Sequence, residues 1–411
     1  VGTFTDIITS INPALSIRVV GTTTGSVTNI SVIEVTDDTN LPRINYDGFS
    51  YDGSGAIIPN SGCGSWLFEP QSTNLITYSE DFSNAAWVKQ NVTVASNNAT
   101  SPDGTTNADT LIPSTSNVNH FLNQDSSITS GTTYTQSIYA KANAYSFLQI
   151  TGSSGFASVY QNFNLNDGTL GSTDGGIATI TNCGNGWYRC TYTLTATSTT
   201  GGGRFIIAIV SLSTSGRIAA FSGNGTDGIS LYGAQLEQQS YATSYIPTEG
   251  TTVTRNQDVC TNGGSAALIS STEGVLYAEI AALANDGTTR SISISDGTTG
   301  NRVVIRYRPT DGQIQMLVAN GGAIESIITE NNLSVTSFIK VAVKYKENDF
   351  ALWINGVEVG TNNSGVTPIN LAELSFNSGL LGNNLFFGKT KCLAVWKTAL
   401  TDTELAELTT I

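Results

Sequence analysis

Residues 339–359 read IKVAVKYKENDFALWINGVEV, and their reading decides the fold class. Ile339, Val341, Val343 and Tyr345 alternate with Lys340, Lys344 and Lys346, the period-two pattern of a strand with one buried and one wet face. Asn355-Gly356 then sits between β-rich flanks. Both residues tolerate positive φ, so the pair predicts a two-residue hairpin turn. The same pattern extends upstream into NRVVIRYRPTDGQIQMLVAN (301–320). There Val303, Ile305 and Tyr307 point one way, and Arg302, Arg306 and Arg308 the other. A Pro-Thr-Asp-Gly turn leads back through Ile314, Met316 and Val318. Downstream the pattern changes once: Thr401 and Glu404 form a capping box ahead of Leu405 and Leu408, which predicts a short C-terminal helix.

Residues 71–259 repeat short strands bounded by Gly, Asn or Asp turns. TYTQSIYAKA (133–142) sets Tyr134, Gln136, Ile138 and Ala140 on one face. FIIAIVSL (205–212) is apolar on both faces, as a central strand between packed layers would be. ISLYGAQLE (229–237) is read as a regular strand, with Leu231, Gly233, Gln235 and Glu237 opposed to Tyr232, Ala234 and Leu236. Evenly spaced strands without intervening helices predict an antiparallel sandwich or jelly roll. The expected fold is therefore all-β: tandem antiparallel sandwiches over 71–259 and 260–411, with a boundary near 255–268 in the small-residue stretch TNGGSAA. Segment 1–70, with strand-like runs ALSIRVV (14–20) and ISVIEV (30–35), reads as a connector or attachment segment, or as edge strands on a neighbouring domain.

Composition narrows the function. Charged residues are 12% of 411, against about 25% in average chains, so Thr, Ser, Asn, Gln and Gly must supply the polar surface. These residues favour strands and turns over long helices. A net charge of −14 argues against nucleic-acid binding through a basic face. No apolar run approaches the roughly 18 residues that a membrane-spanning helix needs. The start, VGTFTDIITS, lacks a signal-peptide pattern and an initiator Met, so the chain reads as processed, trimmed or part of something longer. Its single histidine, His120, makes any His-based triad depend on one residue, and NVNHFLN offers no nucleophile beside it. A surface or cap role is expected for it. The five cysteines follow no metal or redox spacing; Cys183 and Cys190 are either free buried thiols or face each other across the GNGWYR hairpin.

Glycoside hydrolysis needs two carboxylates flanking one bond, and a strand aims two carboxylates together only from alternate positions. No strand-like segment offers that spacing. Glu80-Asp81 are adjacent and read as turn or cap residues, Asp37-Asp38 as a solvated turn. No G-x-S-x-G, H-E-x-x-H or phosphate-loop pattern occurs, so no catalytic residue and no cofactor is assigned. The candidate ligand-binding residues are Arg302, Arg306 and Arg308 with Gln313 and Gln315. Guanidinium forks suit carboxylates and sulfates, and amides suit hydroxyls. The competing reading is a solvated sheet face or a charge-protected edge, and Lys340, Lys344 and Lys346 fit either account. Trp87 and Trp187 read as packed rings, with sugar stacking as the alternative.

Two sets of strings carry a resemblance. SGCGSWLFEPQSTNLITYSEDFSNAAWVKQNVTV (61–94), SIYAKA (137–142), GNGWYRCT (184–191) and YGAQLEQQSYATSYIPTEGTTVTR (232–255), together with PRINYDG (42–48), resemble a module of tailed-bacteriophage fibre, spike and adhesin proteins with a carbohydrate-binding-module-like jelly roll. VLYAEIAAL (275–283), 339–359 and LFFGKTKCLAVWKTALTDTELAEL (385–408) resemble concanavalin A/laminin-G-like domains. Residues 1–41 resemble neither. The resemblance implies a virion surface protein made in the host cytoplasm, a non-enzymatic adhesin for host or environmental polysaccharide. Other virion proteins and two further copies of the chain would be its partners. A polysaccharide depolymerase component and a purely structural decoration protein are the alternatives. The resemblance also admits a structural calcium at loop carboxylates such as Asp167 or Asp227, which Asp-Gly turns explain equally well.

Overall fold

The computed structural model describes residues 64–411 except Asp311 and Leu381, together with the backbone of three short strands, Arg43–Asn45, Phe49–Tyr51 and Ile57–Pro59. The runs at 14–20 and 30–35 and the Asp37-Asp38 pair lie outside the described residues. Among the described residues no helix is long and apolar enough to cross a membrane.

Alternation in sequence becomes two antiparallel β-sandwiches and one short helix. In the first sandwich, one sheet runs Ile177–Gly184, Trp187–Thr195, Thr133–Ala142, Ile229–Glu237, Ala108–Pro113, Val92–Ala99. The facing sheet runs Thr169–Thr173, Tyr160–Asn164, Phe147–Ser153, Thr200–Val210, His120–Asn123, Val88–Gln90. Tyr134, Ile138 and Ala140 enter the core between them, beside Ile207 and Ile209. Ile206, Ala208 and Val210 are buried on the opposite face of the same strand, so Thr200–Val210 is the doubly covered central strand its apolar run implied. Trp87 and Trp187 are both buried. Each indole N–H donates to a backbone carbonyl, that of Tyr78 at 2.8 Å and of Thr100 at 3.0 Å.

Two expectations fail here. The regular alternation of 229–237 is broken by a bulge at Gly233, whose φ is +59°. The extra residue reverses the facing beyond it, so Leu231, Ala234 and Leu236 share the core while Tyr232, Gln235 and Glu237 point outward. A side chain at 233 would press on the rings of Tyr139 and Tyr245, which is why the bulge carries glycine. His120 is not on the surface. It is fully buried, its Nδ1 lying 2.8 Å from the Asn91 carbonyl and its Nε2 2.9 Å from that of Phe221.

The second sandwich pairs Arg43–Asn45, Ser65–Phe68, Gly388–Trp396, Glu273–Ala282, Ile339–Lys346, Phe350–Ile354 and Val357–Asn362 in one sheet. The other sheet runs Ala323–Glu330, Ile314–Asn320, Arg302–Tyr307, Arg290–Ser295, Glu373–Ser375; we call it the arginine sheet. Val303, Ile305, Tyr307, Ile314, Met316 and Val318 face Ile339, Val341, Val343 and Tyr345 across the core. Asn355 (φ +51°) and Gly356 (φ +82°) make the hairpin turn. The helix Asp402–Thr409 starts at the Thr401/Glu404 capping box and buries Leu405 on the outer face of the larger sheet, against Val275, Tyr277, Ala342 and Trp353.

The second sandwich is discontinuous in sequence. Ser65–Phe68 adds to Gly388–Trp396, and Phe68 stacks on Phe376 at 4.2 Å in its core. The chain then leaves to build the first sandwich and returns through Val253–Arg255, which pairs with Ser72–Asn74. At this crossing, Arg255 lies 3.3 Å from Glu69 and 3.9 Å from Asp258, all three buried. The small-residue stretch that follows is held by backbone hydrogen bonds to the arginine-sheet side: Gly263 exchanges two with Leu374, and Cys260 accepts one from Phe376.

Candidate functional site

The outer face of the arginine sheet is organised in cross-strand rows, because register places directly opposed residues side by side. One row reads Ser291, Arg306, Gln315, Thr329; the next Ser293, Val304, Leu317, Ile327; the third Ser295, Arg302, Ala319, Ile324. A bulge at Glu325 resets the edge strand so that Ile324 and Ile327 both reach this face. Val304, Leu317 and Ala319 form a buried apolar patch, and Ile324 (60% exposed) and Ile327 (44%) extend it into solvent.

The five residues singled out from the sequence divide into three roles. Arg302 is half-buried and donates from Nη1 to the Ser378 carbonyl and, at 2.7 Å, to the Ser378 hydroxyl. It fastens the segment around Ser378 across this face, where Gly379 comes close to both Arg302 and Ser295. Arg306 donates from Nε (2.9 Å) and Nη2 (2.5 Å) to Gln315 Oε1. Gln315 is only 8% exposed, and its Nε2 donates at 2.6 Å to the Thr329 hydroxyl. Gln315 therefore serves as a buried brace that aims Arg306. Arg308 and Gln313 lie beyond the strand end, joined by a 3.2 Å backbone hydrogen bond, and Gln313 Nε2 donates to Asn331 Oδ1 at 2.7 Å.

Among the described residues, no carboxylate pairs with Arg302, Arg306 or Arg308. Burial, with added repulsion from Arg308 and Arg302, presses the Arg306 guanidinium down to about 10, still a cation at neutral pH. An anion arriving there would meet oriented N–H donors and relieve that repulsion. The lysines belong elsewhere. Lys344 bonds Asp349 and Asp402, Lys340 donates to the Thr410 carbonyl and Lys346 pairs with Glu273, all around the helix-covered sheet of the same sandwich.

Other candidates resolve into structure. Asp81 Oδ1 accepts from the Ser83 and Asn84 amides, closing a turn. Glu80 accepts from the Tyr232 and Tyr245 hydroxyls at 3.1 and 3.0 Å, and Tyr232 also reaches Asp103 at 3.0 Å. The strings 61–94 and 232–255 meet through such bonds: Asn74 Nδ2 donates to the Ala234 and Ile246 carbonyls, and Glu237 accepts from Ser72 and Thr243. Their idiosyncratic residues clamp the first sandwich shut. Asp167 Oδ1 accepts from Thr169, and Asp227 Oδ2 accepts from Asn224 Nδ2, each within its own Asp-Gly turn. Among the described residues no three His, Cys, Asp or Glu side chains gather in a metal-binding group. Cys183, Cys190, Cys260 and Cys392 are free thiols; Cys190 points into the core while Cys183 packs on the outer face, so the hairpin disulfide does not form.

Sequence reading missed three contributors: Thr329, which orients Gln315, and the exposed Ile324 and Ile327. The alternation of AIESIITE held the signal, but the bulge at Glu325 conceals which face each residue takes.

Residues 276–406 match the concanavalin A-like lectin/glucanases superfamily. No curated protein matches the chain by sequence. Solved structures similar to parts of it include the CBM40 of Ruminococcus gnavus IT-sialidase bound to α2,3-sialyllactose, 16% identical over 36% of this chain and 93% of that one, with a TM-score of 0.29. The leech intramolecular trans-sialidase complexed with 2,7-anhydro-Neu5Ac is 19% identical over 34% of this chain and 24% of the leech chain, with a TM-score of 0.29. Domains LG4-5 of the mouse laminin α1 chain are 12% identical over 70% of this chain and 90% of that one, with a TM-score of 0.25. At these scores the likeness extends to neither ligand nor activity.

Proposed function

We propose that this chain is a surface adhesin of a tailed-phage particle that holds host or environmental glycans without cleaving them, using the outer face of the arginine sheet. The observation that carries the binding part is the Arg306–Arg308 pair: neighbouring cations, one braced by a buried amide, neither matched by a described carboxylate. A polyanionic polysaccharide supplies the missing counter-charges, and its hydroxyls suit the half-buried amide of Gln313. The particle part rests on the strings at 61–94 and 232–255 and on a surface poor in charge and rich in Thr, Asn and Gly. A trimeric assembly and contacts to other virion proteins belong to the same reading.

The test is incubation of the purified chain with a uronate-bearing polysaccharide at low salt. The reading requires saturable binding that weakens as salt rises, without release of new reducing ends. Sustained release of reducing ends would replace the adhesin by a depolymerase, and absence of binding would leave only structural decoration.

A further inference from the structure

The three rows described above place an apolar strip between cations, buried at Val304, Leu317 and Ala319 and open to solvent at Ile324 and Ile327. The Val304–Leu317–Ile327 row lies directly between the row of Arg306 and the row of Arg302, and the Ala319–Ile324 pair continues it along the sheet edge. A plain polyanion has nothing to set on Ile324 and Ile327, which remain 60% and 44% exposed, while a plain apolar ligand leaves the guanidiniums without a counter-charge. The pattern calls for a ligand that carries both features on adjoining units. Ile327 stands two strands and one alternate position from Arg306, at about 4.8 Å per strand and about 6.8 Å per alternate residue, so the two backbones are roughly 12 Å apart, a span that substituents on two adjoining sugar rings cover.

We propose that this face selects acidic polysaccharides bearing acyl groups, with a carboxylate or sulfate on Arg306 and an acetyl methyl on the Ile324–Ile327 ledge. The inference rests on the glycan-binding reading of the same face and adds the substrate class to it. Gln315 contributes by fixing Arg306 in place: both guanidinium contacts end on its Oε1, and Thr329 holds its amide, so the cation stays at a set distance from the apolar row. Burying one methyl strengthens binding by roughly fourfold, so the preference for acylated chains is modest per group and grows with several groups along one polymer.

The experiment compares alginate with alginate of the same chain length that has been chemically O-acetylated, by titration calorimetry at low ionic strength. Wild-type protein should bind both and the acetylated polymer about 3- to 10-fold more tightly. Ile327→Ser, on an exposed edge and of little consequence for folding, should bring the two affinities together while leaving the plain polymer unchanged. Arg306→Ala should weaken both polymers by a similar factor. Equal affinity of the wild type for the two polymers, or an acetyl preference that survives in an Ile324→Ser/Ile327→Ser variant, would overturn the acyl ledge while leaving the anionic site standing. If neither polymer binds, the glycan reading of this face falls and the ledge falls with it.

Discussion

Arg290 and Arg306 occupy neighbouring strands of one sheet, one residue out of register, and therefore face opposite ways. Arg290 is buried at the sandwich end beside Tyr307, with Nη2 2.8 Å from both Asp286 oxygens; Ser240 of the first sandwich adds a hydroxyl to the same carboxylate at 2.7 Å. Arg306 is only half-buried, leans on a neutral amide, and has two other arginines for electrostatic company. The first has its charge answered within the chain and works as a structural tie; the second is oriented but unanswered. Burial already differs between the two, but it does not by itself assign their roles. The presence of a counter-charge does.

The largest effect should come from breaking the answered pair. Arg290→Met leaves Asp286, whose side chain is only 16% exposed, without its cation, and should cost about 2–3 kcal/mol of unfolding free energy. Chemical denaturation measures it. A loss below about 1 kcal/mol would mean that solvent already screens the pair and that the contrast with Arg306 is overstated.

Acid should weaken the same tie. Burial pushes the Asp286 carboxyl up, but the Ser240 hydroxyl and the Arg290 guanidinium outweigh it and hold the group below its ordinary value. The folded chain then binds fewer protons at this site than the unfolded chain. Its contribution is whole above about pH 4, where an unfolded Asp is ionised, and is lost as pH falls through the folded value. The stability gap between wild type and Arg290→Met should accordingly be widest near neutrality and shrink below about pH 4. A gap of constant size would show that packing of the Arg290 stem, not charge, makes the difference.

Arg302 tests the middle ground, since it shares a face with Arg306 yet spends its donors on Ser378. Arg302→Ala should cost about 1–2 kcal/mol and speed proteolysis near residues 378–384, with little change in polyanion affinity. Affinity falling as far as in Arg306→Ala would return Arg302 to the ligand set.

How much of this was legible in the sequence follows from the range of the interactions involved. Val303, Ile305 and Tyr307 opposite the arginines, the Asn355-Gly356 turn and the Thr401/Glu404 cap are local patterns, and each stands in the structure as read. The Gly233 bulge adds one residue, a change too small to show in an alternating string, and it turned Gln235 and Glu237 outward and Ala234 inward. His120 is buried by carbonyls 29 and 101 residues away, and Arg302 is claimed by a serine 76 residues away. Periodicity shows which face a side chain takes, but long-range packing settles whether that face stays open. For the same reason the segment before residue 70 reads equally as a connector or as edge strands on a neighbouring domain, and the core ring that Phe68 supplies to the second sandwich is seen only in the structure.

The central claim is that unanswered arginines on this sheet are there for a ligand. The measurement that tests it most directly is the affinity of an Arg306→Ala/Arg308→Ala variant for a uronate polysaccharide at low ionic strength, with its thermal unfolding recorded alongside. The account predicts at least a tenfold loss of affinity with an unchanged midpoint, the difference from wild type closing as salt screens the contact. Unchanged affinity in a fully folded variant would contradict it and reduce the arginines to surface decoration.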